Sequence, residues 1–593
     1  MIIFQTTDNY KLDLTQYGVN FNEESPNFKE DIQKNYSLPF NISLDDETAL
    51  KLGLPNLDNI SGYKIKIEGF LILDYKFYKA YLVINEIVKK KAEITLFYGE
   101  DILAVFDKKL SQLPFPIINA GIALVDYAQM QLSKSYPETS HNFPKVYRPE
   151  IKEKSKYELF QLFVNNYADP GYFLSNAMSY PVDNPSVPNN KNVMAPMTYL
   201  LEVLRVGFKS EGLELRGEFP NDEFCKKIVL IPKQFFQEYS DPDQRDMFSF
   251  DFFNNQETVD GKTVNIYEKI HVPTAKGTYT LKYSVNFPKG IADFFQLQIT
   301  YGETVLFNAS ATNDALILND TLSINLTEDG PYENIKTTLR ISQQVNSIES
   351  LQRFIFDFKD GNLNVFPQEY SLADFMPNMT FKTYFNIIKK WANLDVVYLK
   401  NAVYLNYLDN SIKKLNFDDD SEFEVLDYKR TLNKNNLFKL MYPNGDEVLV
   451  NKTGQIYNEN DYLSGETETV EFDILPLKIA DNENLITGEY PEDDNEIMIG
   501  LYNGLLNNQP VLVDKFANRN LSLQDIYQNW HKIWLSFRTN SEIYKDTFFC
   551  HISKPFDFKK GIKKYNKLHL IKTLNKKRVN EEYWKVDMET ETF

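Results

Sequence analysis

The stretch Met376–Asp409, MPNMTFKTYFNIIKKWANLDVVYLKNAVYLNYLD, constrains the fold most, because its apolar spacing occurs twice in the chain. Phe381, Tyr384, Phe385, Ile388 and Ala392 fall on one face of an amphipathic helix. Asp395–Leu408, rich in Val, Tyr and Leu, reads as a short strand pair turning near Lys400 and Asn401. Earlier, Met197, Leu200, Leu201, Leu204 and Phe208 show the same spacing. There Gly212 stops the helix, and Leu213, Leu215 and Phe219 alternate as a strand. A shift of 184 positions superposes the two segments, placing Leu213 on Val397, Leu215 on Leu399 and Phe219 on Val403. Either the chain carries two related structural modules, or two ordinary helix-into-strand units share a spacing.

At 593 residues, the length suggests roughly four domains at roughly 150 residues each. The 37 Tyr and 44 Phe favour sheets, so the expected class is mainly β with α+β modules. Residues 1–110 read as β-rich: Tyr63, Ile65 and Ile67 alternate with Lys64, Lys66 and Glu68, and turns are expected at Gly53, Asn59, Gly62, Gly69 and Gly99. A first helix-strand module spans 111–249, with a helix expected over Lys156–Val164 and Pro196 just ahead of the amphipathic helix. Over 250–362 the period becomes two: Tyr279, Leu281, Tyr283, Val285 and Phe287 face one way and Thr280, Lys282, Ser284 and Asn286 the other. Strands without intervening helices predict an inserted β-sandwich there. The second helix-strand module spans 363–460, and 461–593 is a C-terminal α+β region. In that region LSLQDIYQNWHKIWLSFR is a helix capped by Ser522 and Asp525, with Ile526, Trp530, Ile533 and Trp534 along one face. Strands are expected at Thr547–Ile552, Lys567–Thr573 and Tyr583–Met588.

The charge, 64 basic against 83 acidic residues, is −19, which disfavours generic nucleic-acid binding. The amino terminus shows no basic leader with an apolar core, and the most apolar run, Ile117–Ala128, is too short to span a bilayer. The expectation is therefore a chain made in the cytoplasm, without membrane insertion.

No phosphate loop, dinucleotide fingerprint, nucleophile elbow or H-E-x-x-H motif is present. His141, His271, His531, His551 and His569 lack metal-ligand spacing, and Cys225 and Cys550 read as buried structural thiols whose pairing spacing leaves open. The acidic runs Asp418–Asp420 and Glu492–Asp494, and Asp241, Asp243 and Asp246, match no calcium loop or acid/base signature and read as solvated loops. The basic segment Lys554–Arg578 reads as a solvated strand face, with an acidic partner or polyanion as the alternative. No catalytic, cofactor-binding or metal-binding residue is singled out, and no enzyme activity or cofactor is expected. The aromatic faces of the sandwich are weighed as sugar platforms against core packing, which strict alternation favours.

Several segments in order carry a resemblance: Asn35-Tyr36-Ser37-Leu38-Pro39-Phe40, then Gly53-Leu54-Pro55, APMTYLLEVLRVGFKSEGLEL, MPNMTFKTYFNIIKKWANLDVVYL, the Trp530/Trp534 helix and the closing YWKVDMETE. With these the chain resembles the phage tail or baseplate hub proteins, the paired-barrel hubs of contractile tails and VgrG-like spikes, in the version of phages of Bacteroidetes hosts. The resemblance implies two hub-type β-barrel modules. It also implies a virion structural protein that trimerises into a ring joining tail tube to central spike or tip, with DNA passing through the channel unbound. Two rival readings stand beside it: a glycan-binding tail-tip adhesin or bacterial surface protein, with the 250–362 sandwich as the binding part, and a tail-associated hydrolase.

Overall fold

The two segments related by the 184-residue shift lie against each other. In the computed structural model of the chain, the helices Leu200–Lys209 and Phe381–Trp391 form where the apolar spacing placed them. They cross where Gly207 meets the Phe381 ring, and the Tyr384 hydroxyl donates to the Leu200 carbonyl at 3.0 Å. The strand pair Leu394–Leu399 and Ala402–Tyr407 also forms, and the first module adds strand Glu214–Arg216 parallel to Ala402–Tyr404. Gly217, at φ 113°, permits this approach: a Cβ there would lie 2.3 Å from the Leu405 carbonyl oxygen. The first strand is shorter than expected, because Phe219 sits in the helical turn Glu218–Asn221, buried beneath Tyr407 and Trp530. Pro196 does not open the helix either, since strand Met197–Thr198 intervenes and Tyr199 precedes the first turn.

The structure describes all residues except 29–34, 54–64, 74–75, 100–102, 121–123, 149–162, 169–170, 175–191, 237–245, 260–261, 274–276, 327–331, 343–347, 349–350, 359–368, 400, 433–434, 458–465, 478, 480–495 and 593. Tyr63, Asn59, Gly62, Asp241, Asp243, Glu492–Asp494 and most of the helix expected over Lys156–Val164 lie outside the described residues. Of that last segment, Phe163–Val164 is a strand.

The fold is mainly β, built from several antiparallel sheets. A fourteen-stranded sheet joins the two ends of the chain. Strands Ile2–Thr6, Lys66–Leu73, Lys76–Val88 and Lys91–Tyr98 run antiparallel in succession, and Asn35–Ser37 and Asn20–Glu24 continue them. Asn20–Glu24 then pairs with Lys567–Arg578, and Tyr583–Thr592, Glu542–His551 and Lys429–Leu432 complete the row. Its end strands, Lys11–Asp13 and Lys429–Leu432, do not pair with each other, so the described strands close no barrel. Gly69, expected in a turn, lies inside strand Lys66–Leu73, where a Cβ would meet the Gln5 carbonyl oxygen at 2.1 Å. The first and last segments thus share one sheet and one core, containing Phe4, Phe21, Tyr98, Trp584 and Val586.

A second core draws on both helix-strand modules and the C-terminal helix, from Leu103 through Phe208, Phe385 and Trp391 to Trp530. The C-terminal helix forms with a π-helical turn over Tyr527–His531 between Leu523–Ile526 and Lys532–Asn540. Such a turn displaces backbone N–H groups from their usual acceptors. Asp409 of the second module accepts two of them, from Ile533 at 2.8 Å and Trp534 at 2.9 Å.

The sandwich spans Asp246–Phe358. Its four-stranded sheet contains Asp246–Phe248, Gln352–Phe358, Gly277–Phe287 and Leu316–Leu326, and its five-stranded sheet Asn255–Val259, Lys262–His271, Ile335–Ile341, Phe294–Tyr301 and Thr304–Thr312. Tyr279, Leu281, Val285, Phe287, Phe295, Leu297 and Ile299 fill the core between them, as the alternation required.

Candidate functional site

The acidic loop and the basic segment, which the sequence presents as separate candidates, neutralise each other. Lys554 pairs with Asp420 at 2.5 Å and Lys560 with Asp418 at 3.1 Å, while Asp419 accepts from the Ser421 N–H and hydroxyl. Lys572 pairs with Glu589 at 3.1 Å and Lys576 with Glu23 at 2.6 Å. Lys567 pairs with Glu542, whose carboxyl hydrogen bonds to Arg430 and Lys567 hold down to about 2 against desolvation. Lys564 and Asp546 form a pair with both side chains almost fully buried, and the Tyr565 hydroxyl also donates to Asp546. Six lysines of the basic stretch are therefore spent on the chain's own carboxylates. Asp246, the described member of the third acidic group, pairs with Lys269 at 2.7 Å and lies 3.3 Å from His271 Nε2.

The histidines are dispersed. Burial pushes His141 down to about 3 and His531 and His569 down to about 4, so at neutral pH all three rings are uncharged. His531 Nε2 lies 2.9 Å from the Trp391 carbonyl, and His569 sits between Thr590 Oγ1 and the Lys564 carbonyl. The His271 ring stacks on Phe356 at 4.0 Å, and exposed His551 contacts Ser553 Oγ. No group of three or more potential metal ligands occurs among the described residues.

The sequence reading missed the chain Ser140–His141–Tyr370, which forms across sheets: His141 Nδ1 is 3.0 Å from Ser140 Oγ and Nε2 is 2.5 Å from the Tyr370 hydroxyl. A ring that accepts a proton only near pH 3 is a poor general base for a hydroxyl, and the group is walled in by Tyr127 and Phe143. It fastens strand His141–Asn142 to the second module.

Both cysteines are buried free thiols in different cores. Burial raises Cys550 to about 11 and Cys225 well above its ordinary value, which suppresses thiolate chemistry. Cys225 belongs to a second arrangement that no local pattern announces. Its sulfur is 3.4 Å from the Tyr407 hydroxyl, which donates to Asp222 at 2.5 Å, and Arg519 donates to the same carboxylate oxygen at 2.7 Å. Arg519 also lies over the Phe224 and Trp530 rings. Three distant segments are joined there by one charge pair and a stack of rings.

Strand Lys429–Leu432 ends the long sheet with all four residues exposed; Leu432 is 71% exposed and Leu426, just ahead of it, is 100% exposed. The sandwich rings weighed as sugar platforms, Tyr279, Tyr283, Phe287 and Phe295, are core residues and unavailable for stacking. The outward face of its five-stranded sheet instead carries a polar network. Arg340 donates to Glu257 at 3.2 Å, to Gln296 at 3.2 Å and to Gln298 at 3.3 Å, and Gln296 donates to Asn308 at 2.8 Å. Among the described residues, no helix is long and apolar enough to cross a membrane.

No protein-family model matches the chain, and no curated protein does. Among solved structures, one described as "CBM4 structure and function" is similar at 11% identity over 20% of this chain and 84% of its own, with a TM-score of 0.11. The infectious bursal disease virus VP2 subviral particle is similar at 9% identity over 60% of this chain and 76% of its own, with a TM-score of 0.13. Likenesses this slight carry no argument about function; what stands on the chain's own residues is a mainly β protein of several antiparallel sheets.

Proposed function

We propose that the chain is a structural, non-enzymatic protein of a phage tail: a homotrimeric baseplate hub that rings the channel and joins tail tube to spike. The observation that carries this reading is the exposed end of the long sheet. A strand edge with free N–H and C=O groups and neighbouring exposed leucines invites pairing with another chain, and proteins that persist as monomers blunt such edges. In Lys429–Leu432 the charges of Lys429 and Arg430 blunt only part of the edge, Leu426 and Leu432 stay open to solvent beside them, and a rotationally closed ring covers that apolar end on every copy. The two adjoining helix-strand modules give each chain two comparable parts, so three chains can meet a sixfold tube and a threefold spike. In this reading part of the −19 charge lines the channel and repels passing DNA.

The test is the mass of the purified chain by native mass spectrometry and mass photometry, followed by its location in intact particles by electron microscopy. The wild type is expected as a trimer, and the double variant Leu426→Asp/Leu432→Glu as a monomer with unchanged circular dichroism. A wild type that stays monomeric at tens of micromolar and is absent from particles overturns the proposal.

A further inference from the structure

The polar network on the sandwich suits a ligand with many uncharged hydroxyls. In the five-stranded sheet, Gln296 stands between Arg340 and Ser310, and Gln298 between Thr338 and Asn308. These rows cross adjacent strands about 4.8 Å apart, with about 6.8 Å between rows along a strand. All of these residues lie on the face opposite the core, since Phe295, Leu297, Ile299, Leu339 and Ile341 take the alternate positions. A side-chain amide offers a donor and an acceptor side by side, and a guanidinium offers several donors in one plane. That is the complement of neighbouring sugar hydroxyls, each of which both donates and accepts.

The charges define the ligand further. Arg340 is matched by Glu257 at 3.2 Å, Lys336 by Glu268 at 2.6 Å and Lys262 by Asp293 at 2.8 Å, so these cations of the described face are each matched by a carboxylate and leave little to hold an anion. The Arg340 contacts also fix the two glutamines, so less side-chain freedom is lost on binding. Phe294, two residues before Gln296 on the same face, is half-buried and gives one end of the network an apolar ring.

We propose that this face binds a neutral polysaccharide chain, with Gln296, Gln298, Asn308 and Arg340 as the hydrogen-bonding set and Phe294 as a stacking ring. The inference is independent of the ring-forming role, because it concerns one face of a sheet with its own core and holds for a monomer as for a trimer.

The test is affinity electrophoresis of the full chain in gels containing soluble mixed-linkage β-glucan, xylan, mannan or dextran, with heparin as the anionic comparison. Retardation by at least one neutral polysaccharide is expected, weakened at least tenfold by Gln296→Ala/Gln298→Ala and by Phe294→Ala. Thr321→Ala/Ser323→Ala, on exposed positions of the other sheet, is expected to leave it unchanged. The exposed substitution Asn308→Lys serves as an independent probe should a variant at the half-buried positions Phe294, Gln296 or Gln298 alter the circular dichroism, and it too is expected to abolish retardation. No retardation by any of the four, retardation by heparin alone, or retardation that survives all the variants of this face overturns the proposal.

Discussion

Gly207→Ala tests whether the two helix-strand modules are packed as one unit, because two opposing effects of known size meet at that residue. In an isolated helix the substitution stabilises by about 1 kcal/mol, since glycine loses more backbone freedom on folding. Here the new Cβ would stand 2.2 Å from Phe381 Cε2 and 2.3 Å from Cζ. Ordinary carbon contacts are about 3.5–4.0 Å, so the ring must retreat by more than about 1 Å. Its retreat is blocked by Phe106, Phe208 and Phe385, with ring centroids 5.9, 5.2 and 6.5 Å away. Forcing extra volume into such a site costs about 1–3 kcal/mol, and more where nothing can move. With the ring confined by three others the cost falls at the upper end, about 2–3 kcal/mol, and the expected net effect is a loss of about 1–2 kcal/mol. Urea unfolding followed by tryptophan fluorescence reports it, because Trp391 and Trp530 lie in the same core with ring centroids 4.9 Å apart. Phe381→Leu makes room, so the pair Gly207→Ala/Phe381→Leu should be more stable than the sum of its single changes by at least about 1 kcal/mol. A Gly207→Ala protein with an unchanged or raised midpoint would mean that propensity alone governs the site and that the helices do not cross there.

Two further outcomes follow from buried charge. Asp546→Ala strands the Lys564 ammonium and should cost about 3–5 kcal/mol, whereas Asp546→Leu/Lys564→Met should recover most of that loss; urea midpoints for the three proteins decide, and a double variant no better than Asp546→Ala refutes the pairing. Acid should weaken the fold. His141, His531 and His569 have folded values of about 3, 4 and 4 against an ordinary 6.5, so the unfolded chain takes their protons first and each costs up to about 1.4 kcal/mol per pH unit below 6.5. Asp409, raised by burial to about 6, acts in the opposite sense between about 6 and 3.8. His271, also lowered by burial, acts in the same sense as the other three histidines, so with Asp409 alone opposing them these groups leave a net loss of stability as the pH falls from about 6 to 4. Urea midpoints at pH 7, 6 and 5 should fall progressively, and fall more steeply in Asp409→Asn; a flat profile contradicts the burial of these rings.

The elements with strong periodicity were legible in the residues alone. The helix over Phe381–Trp391, the strand pair after it, the sandwich strands and the Trp530/Trp534 helix stand where apolar spacing put them, because a helix or strand face must be buried and only one period does so. Segments governed by neighbours were not legible. Phe219 left its strand for a helical turn beneath Tyr407, and Gly69 entered a strand because Gln5 comes too close for any side chain.

The candidate sites divide the same way. Composition fixed the −19 charge, the two cysteines and the want of a familiar catalytic motif, because these depend on which residues are present. It could not fix what each residue meets. Asp418 and Lys560, Asp222 and Arg519, Ser140 and Tyr370 are far apart in the chain, and only the folding of distant segments onto one another joins them. Local order is written in the period of apolar residues over a few turns. Charge pairing, the exposed end of the long sheet and the network around Arg340 arise from how segments meet, and the tertiary structure decided those.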